Sequence, residues 1–561
     1  MAWYDEAVFY HIYPLGLTGA PKQNSYEKPV HRLNTLRPWI SHIHDLGCNA
    51  LYIGPLFESV GHGYETTDYK KLDSRLGTNE DLSAFVKECH SQGIRVILDG
   101  VFNHTGRDFF AFKDIRENRE HSRYRDWYCN VNFYGNNEYN DGFSYENWGG
   151  YNLLVKLNQR NPEVKDYICD VIRFWVSEFD IDGIRLDAAD VLDFDFMKAL
   201  RHTANEVKPD FWLMGEVIHG DYTRWVNEGT LHSVTNYHLH KALYSGHNDH
   251  NYFEIAHTVK RLYEMGGNRP DGLKLYNFVD NHDVERIYTK LNNKAHFTPV
   301  HVLLYTLPGI PSIYYGSEFG IEGKKEYGSD DSLRPQLNLD DYKDALTSNP
   351  CTALIAALGK VRTLVPALSY GDYQQRTLTN RQYAFTRSWN GCTAAVTVNN
   401  DDNEAGFSVP VDSSETYLGT LTGTKIQPEN GQIHVTIKGN FGEIWVPESA
   451  VGKTNPTVLI EKNPKPISPK KPIVEEKSIS PKKPLIEEKP IMKEIAEKKE
   501  KPVTKKVLDL NKPYEEMSVE ELQSAILEKL AKNGPVTDQM RKDVAENIYP
   551  DSLLNWVKSF R

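Results

Sequence analysis

A chain of 561 residues with 39% apolar and 25% charged side chains has room for several domains, but its mean hydropathy of −0.57 leaves part of it outside any packed core. A formal net charge of −12 argues against general nucleic-acid binding, which needs a basic surface to neutralise phosphates. No basic segment followed by an apolar run opens the chain, no stretch has the length of a membrane helix, and the six cysteines form no CxxC pair. These features predict a cytoplasmic protein without membrane association, zinc cluster or dense disulfide framework, its thiols free.

From the N-terminus to about residue 365, short apolar runs alternate with amphipathic stretches. Strands are expected at 8–13, 50–53, 95–98, 183–186, 211–214, 233–235, 274–278 and 312–315, with helices such as 79–92, 162–178 and 194–206 between them. A doubly wound sheet would show the same alternation. Eight units in series, with acidic residues where strands should end, favour an α/β fold of the (β/α)8 TIM-barrel type over residues 1–368. The connection at about 104–160 is too long for a plain loop, so it predicts a small inserted subdomain walling one side of a cleft.

From about residue 370 the period changes to two, in YAFTRS, TAAVTVNN, FSVPV, IHVTIKG and EIWVPE, with hairpin dipeptides at Asn390–Gly391 and Asn430–Gly431. An antiparallel β-sandwich is expected over 369–448. Residues 449–510 are rich in Lys, Pro and Glu and contain the repeat ISPKKPIVEEKS, ISPKKPLIEEKP at 467–490; this composition predicts a disordered linker. Residues 511–561 read as a three-helix module. Ser518 and Glu521 form a capping box for its first helix, Gly534 stops it, and further helices are expected near 537–547 and 552–559. The module is expected to dock a protein partner or to self-associate. Its helices carry both signs of charge, which argues against nucleic acid.

Four segments stand at predicted strand ends: DGVFNH with Asp99, Asn103 and His104; DGIRLDAAD with Arg185 and Asp187; LMGEV with Glu216; FVDNHD with His282 and Asp283. In a (β/α)8 barrel the C-terminal strand ends converge on one pocket. Cleaving a glycosidic bond needs one carboxylate to attack the anomeric carbon and one carboxylic acid to protonate the departing oxygen. Arg185, two residues before Asp187 and therefore on the same side of the strand, is expected to keep Asp187 ionised. Apolar walls and neighbouring carboxylates are expected to hold a proton on Glu216. Asp283, His104 and His282 can grip sugar hydroxyls, and Asp99 supports the site. His11 fits equally a core hydrogen-bonder or a pocket residue.

These ordered motifs resemble those of the α-amylase family, glycoside hydrolase family 13, over roughly residues 5–365, with the sandwich extending the likeness to about 447. The resemblance implies Asp187 as nucleophile, Glu216 as acid/base and Asp283 as transition-state stabiliser. It implies sugar contacts from Tyr64, Asp99, His104, Arg185, His282 and Arg334. Where many α-amylases carry a Lys-His pair after the nucleophile, this chain has Ala188, Ala189 and Asp190. Asn103 matches a family calcium ligand, but it is one ligand where Ca2+ takes six to eight oxygens, so no cofactor is expected to be required. The implied activity is hydrolysis of α-1,4 links in maltodextrin or starch through a covalent glycosyl-Asp187 intermediate. A 4-α-glucanotransferase using the same intermediate is the alternative, and a non-catalytic barrel scaffold the remote one.

Overall fold

Eight short runs line up as one parallel sheet: β1 (Phe9–Ile12), β2 (Ala50–Ile53), β3 (Arg95–Gly100), β4 (Gly183–Leu186), β5 (Trp212–Gly215), β6 (Ser233–Val234), β7 (Tyr276–Asn277) and β8 (Ile310–Tyr314). Their lateral order is β6-β5-β4-β3-β2-β1-β8-β7, and a parallel bridge from Thr235 to Tyr276 joins the two edges. The sheet therefore closes as the barrel expected from the sequence. This computed structural model describes residues 2–267, 272–326, 329–451, 514, 518–533 and 544.

The expected strands at 50–53 and 183–186 coincide with β2 and β4, and the others differ by a residue or two at their ends. Such strands are buried on both faces, so they read as continuous apolar runs. Inside the barrel, Phe9, Ala50, Ile97, Trp212, Tyr276 and Ile310 pack in one cluster. Two residues further along, inward positions turn polar: His11 follows Phe9, Tyr52 follows Ala50, Asp99 follows Ile97 and Arg185 follows Gly183. The alternation of the pleat thus puts an apolar plug below and a polar layer at the C-terminal end.

Helices α1 (Arg37–Asp45), α2 (Asn79–Ser91), α3 (Pro162–Phe179), α4 (Phe194–Val207), α5 (Tyr237–Asn248), α6 (Tyr252–Met265), α7 (Phe297–Thr306) and α8 (Pro350–Leu364) lie between and after the strands. Their starts are set by local chemistry. Asn161 accepts from the amide of Glu163 at 2.9 Å, with Pro162 opening α3, and Asp193 caps α4 through the amides of Asp195 and Phe196. Helix α3 buries Val164, Ile168, Val171, Ile172, Trp175 and Phe179, the spacing of a single helical face. Trp175 stacks on Phe57 at 4.4 Å between ring centroids, and truncating a buried ring of this kind costs roughly 3–5 kcal/mol.

The excursion after β3 folds as a short helix, Phe110–Asn118, beside a three-stranded sheet of His104–Thr105, Tyr151–Lys156 and Asn147–Trp148. Beyond α8 come β9 (Gln374–Leu378), β10 (Gln382–Trp389), β11 (Cys392–Asn399), β12 (Ala405–Pro410), β13 (Tyr417–Gly419), β14 (Lys425–Ile426), β15 (Gln432–Ile437) and β16 (Phe441–Pro447). They form a six-stranded sheet, β9-β10-β11-β16-β13-β14, and a β12–β15 pair. Phe407, Val409, Ile433 and Val435 of the pair pack with Ala384, Ala395 and Trp445 of the sheet. Asn390 and Gly391 have φ of 48° and 78°, the left-handed pair that a two-residue hairpin turn demands. Glu448–Val451 makes a helical turn with Val451 buried, so ordered chain runs past residue 449, where the linker was expected to begin.

Separately, the C-terminal unit contains α9 (Val519–Asn533). Ser518 and Glu521 make reciprocal bonds of 2.8 and 3.3 Å between side chain and amide, and Leu522, Ala525 and Ile526 are buried along one stripe. The two later helices and the repeat linker lie, apart from the single residue Val544, outside the described residues. No described helix is long and apolar enough to cross a membrane.

Candidate active site

Asp187 follows β4 and Glu216 follows β5. The parallel ladder continues past both strands, because the Asp187 amide donates to the Gly100 carbonyl at 3.1 Å and the Glu216 amide to that of Leu186 at 2.9 Å. Gly215 leaves room for its neighbours: a Cβ there would stand 2.5 Å from Leu231 Cδ1 and 2.7 Å from the Ala189 Cβ. Ala188 has φ 46° and ψ 44°, a left-handed conformation that costs an L-residue roughly 1–3 kcal/mol. That conformation aims its amide at Glu216 Oε2, 3.1 Å away.

Arg185 draws the acids together. Its Nη1 donates to both oxygens of Asp99 at 2.9 and 3.0 Å and to Asp187 Oδ1 at 2.9 Å, while its Nη2 lies 2.9 Å from Glu216 Oε2. Two carboxyls encoded 29 positions apart therefore sit on the two terminal nitrogens of one planar cation. Burial works against the charge of Arg185, but Asp99 and Glu216 outweigh it and keep the guanidinium charged.

Arg185, expected to keep Asp187 ionised, does lower its carboxyl, but it is not the largest influence there. Asp187 is only 8% exposed, and burial pushes its carboxyl well above the ordinary range despite Arg185, with Glu216, Asp99 and Asp283 adding their repulsion. One cation stands here among several acids, and the acids together with burial outweigh it at Asp187.

A second chain of contacts joins the remaining candidates. Tyr52 donates to Asp99 Oδ2 at 2.8 Å and Tyr64 to the same oxygen at 3.4 Å. The Tyr64 hydroxyl also bonds His282 Nε2, which stands 3.0 Å from Asp283 Oδ2. Arg334 donates through Nη2 to Asp283 Oδ1 at 2.8 Å and through Nε to the His282 carbonyl at 3.0 Å. Burial would raise Asp283, but His282 and then Arg334 hold its carboxyl well below the usual range. Arg334, expected to touch sugar, is thus bonded first to Asp283 and to Asp330 at 3.1 Å.

His104 is buried, and burial lowers it to about 3, so the ring is neutral near pH 7. Its Nδ1 lies 3.2 Å from the Asn103 amide, and its buried Nε2 meets no protein partner among the described residues. Asn103 Oδ1 accepts from Gln159 at 3.2 Å, so both ends of that side chain are engaged by protein. Among the described residues no group of three or more His, Cys, Asp or Glu is placed to hold a metal. His11 stacks on Tyr52 at 4.1 Å and meets His282 edge-on at 5.2 Å, which puts it in the polar layer.

Three tyrosines were not among the sequence candidates. Tyr52 holds Asp99, Tyr237 donates to Glu216 Oε1 at 3.5 Å, and Tyr13 stacks on His282 at 5.8 Å. Period-two alternation from Ala50 gives a signal for Tyr52, since both face inward. Nothing local marks Tyr237, whose place depends on how α5 starts after β6.

The catalytic-domain model of the α-amylase family matches residues 33–351. A cyclomaltodextrinase of Bacillus sp is 31% identical over 454 residues, covering 75% of this chain and 77% of its own. Neopullulanase 2 of Thermoactinomyces vulgaris is 30% identical, covering 79% and 78%. A solved cyclomaltodextrinase structure superposes with a TM-score of 0.69 at 26% identity, covering 79% of this chain and 78% of that one. Matched over residues 33–351 by the family and along most of its length by these relatives, the chain belongs to the α-amylase family and is a glycoside hydrolase of that type.

Proposed function

We propose that the enzyme hydrolyses α-1,4-glucosidic bonds of maltodextrin or starch-type glucans with retention of anomeric configuration. The observation that carries this reading is the shared grip of Arg185 on Asp187 and Glu216, which holds two carboxyls side by side at adjacent strand ends. Relatives named cyclomaltodextrinase and neopullulanase support the substrate class.

In the first step an Asp187 oxygen attacks the anomeric carbon while Glu216 gives its proton to the departing glycosidic oxygen. The bond to the leaving sugar breaks as the glycosyl-Asp187 ester forms. In the second step Glu216, now a carboxylate, takes a proton from water; the water oxygen attacks the same carbon and releases Asp187. The pair enters with one proton, which the chemistry requires on Glu216, and Arg185 balances the charge left behind. Asp283, kept ionised by His282 and Arg334, grips two hydroxyls of the distorted ring, and neutral His104 donates to another. Tyr64 and His282, whose rings lie 5.8 Å apart and nearly parallel, wall the cleavage subsite.

All six cysteines are free, which suits a reducing compartment, and we place the enzyme in the cytoplasm. Residues 511–561 are assigned to partner docking or self-association. The test of the reaction is proton NMR of the first sugar released from maltotriose, with chromatography of the products. Initial release of the α-anomer with only shorter sugars is expected. An initial β-anomer would overturn the retaining mechanism, and accumulation of longer oligomers would make the enzyme a glucanotransferase.

A further inference from the structure

Three residues past Asp283, Arg286 is fully buried. Its side chain reaches across to the neighbouring loop, the one that follows β8 and leads to Arg334. Nη1 donates to the Tyr315 carbonyl at 2.5 Å and to the Ser317 hydroxyl at 3.0 Å, and Nη2 donates to the Leu333 carbonyl at 2.9 Å. The guanidinium lies 4.2 Å from the centroid of the Tyr314 ring. Its own amide donates to the Gly323 carbonyl at 3.0 Å, and the Gly323 amide donates to the Thr289 hydroxyl at 2.8 Å. One side chain from the loop after β7 therefore holds both ends of the loop after β8.

The clamp is tied at its base as well. Asp280, also buried, accepts from the Ser317 hydroxyl at 2.8 Å and from the Ile287 amide at 2.7 Å. Gly323 is packed against it: a Cβ there would stand 2.5 Å from the Ser332 carbonyl oxygen and 2.9 Å from Arg286 Cγ. With no exposed surface, Arg286 does not touch a sugar. It sets where Leu333 stands, and Leu333 is the residue before Arg334, whose Nη2 holds Asp283 at 2.8 Å. A guanidinium spreads its donors in a rigid planar fork, so it spans carbonyls at two places where an ammonium acts as a point charge. The span matters, because a misplacement of about 1 Å at a site can cost roughly a hundredfold in rate.

We propose that Arg286 is a positioning residue for the reaction: by joining both ends of the loop after β8 to the loop that carries His282 and Asp283, it fixes Arg334 against Asp283. This deepens the glycosidase reading above and rests on it. The sugar meets Asp283, Asp283 meets Arg334, and the backbone that presents Arg334 is held by Arg286. Without the clamp Arg334 withdraws. Asp283 then has less positive charge beside it, its carboxyl rises, and its grip on the ring weakens most where charge develops in the transition state.

The test measures kcat, KM and the pH profile of maltotriose hydrolysis for the wild type, R286K, S317A, R334K and R286K/R334K. R286K should lower kcat/KM roughly tenfold to a hundredfold, through kcat more than KM, and move the acid limb upward. S317A keeps the arginine and removes one acceptor of its fork. It should shift both readouts in the same direction, lowering kcat/KM roughly twofold to tenfold, and it carries the test if R286K does not fold. Because Arg286 acts through Arg334, the double variant should lose little beyond R334K. A double-variant loss equal to the product of the single losses, or an acid limb that stays in place in R286K and S317A, would overturn the proposal and leave Arg286 a purely structural clamp. Hydrogen exchange reads the clamp without turnover: peptides covering residues 331–337 should exchange faster in R286K and S317A, and those of the β-sandwich should not. Uniform exchange across the chain would also overturn it. A wild type that cleaves no glucan, with the local change in exchange still present, would instead remove the glycosidase reading while the hold of Arg286 on the Arg334 loop stood.

Discussion

Arg334 Nη2 lies 2.8 Å from Asp283 Oδ1, and the same guanidinium sits 4.7 Å above the ring of Tyr13. In the proposed mechanism an arginine so placed would act on the sugar through the acid it holds. Asp283 stays charged because His282 and Arg334 together overcome its burial.

Replacing Arg334 with Lys therefore has a defined sign. The carboxyl of Asp283 is depressed in the fold, so its charged form persists as pH falls and is lost only on passing that low value. Without the guanidinium the value rises, and the acid limb of kcat/KM against pH should move upward. A charge-assisted hydrogen bond is worth about 1.5–3 kcal/mol, so kcat/KM near neutrality should fall roughly tenfold to a hundredfold. An acid limb unmoved in R334K would refute this role.

Asp187→Asn should separate activity from stability. Turnover should drop on the order of 10³-fold or more if Asp187 is the nucleophile as proposed. Burial raises the Asp187 carboxyl, so the stability linked to its proton is present below the unfolded pKa of about 3.9 and is lost as pH rises through the folded value. A neutral amide is spared that loss, and Tm should rise at pH 7, by about 2–4 °C for each kcal/mol recovered. Scanning calorimetry decides the point; a lower Tm would show that the charge of Asp187 stabilises the fold.

His301 offers an acid-lability test away from the site. Burial lowers it to about 4 and lowers nearby His247 to about 3, with His296 and His250 adding repulsion on His247. A buried neutral histidine favours folding above its unfolded pKa near 6.5, and that contribution is lost as pH falls toward the folded value. His301 Nε2 is buried without a partner among the described residues, and its Nδ1 bonds only the Phe297 carbonyl one turn earlier. H301L should keep stability near pH 7 within about 1.5 kcal/mol and flatten the fall of Tm between about pH 6.5 and 4. Parallel curves for wild type and variant would exclude His301 as a contributor.

Deleting residues 453–561 should leave kcat/KM on maltodextrin within about twofold, because every site residue named above lies before residue 335. A large loss in initial-rate assays would mean that the terminal segment takes part in the reaction.

Much of the barrel was legible because its strands are apolar on both faces and its helices carry one apolar stripe, as α3 does with Val164, Ile168 and Ile172. Asp187, Glu216 and Asp283 were legible from motifs at strand ends. Tyr237 was not, since its hydroxyl reaches Glu216 only through the start of α5.

By itself the sequence determined which side chains face inward and which acids stand at the ends of the strands, because alternation along a strand is a local property. The tertiary structure alone decided that Arg185 holds Asp187 and Glu216 at once, and that burial and crowding raise the Asp187 carboxyl despite the nearest cation. Lateral pairing between β4 and β5 sets those distances, and electrostatic energy depends on distance and burial in space, which spacing along the chain does not encode.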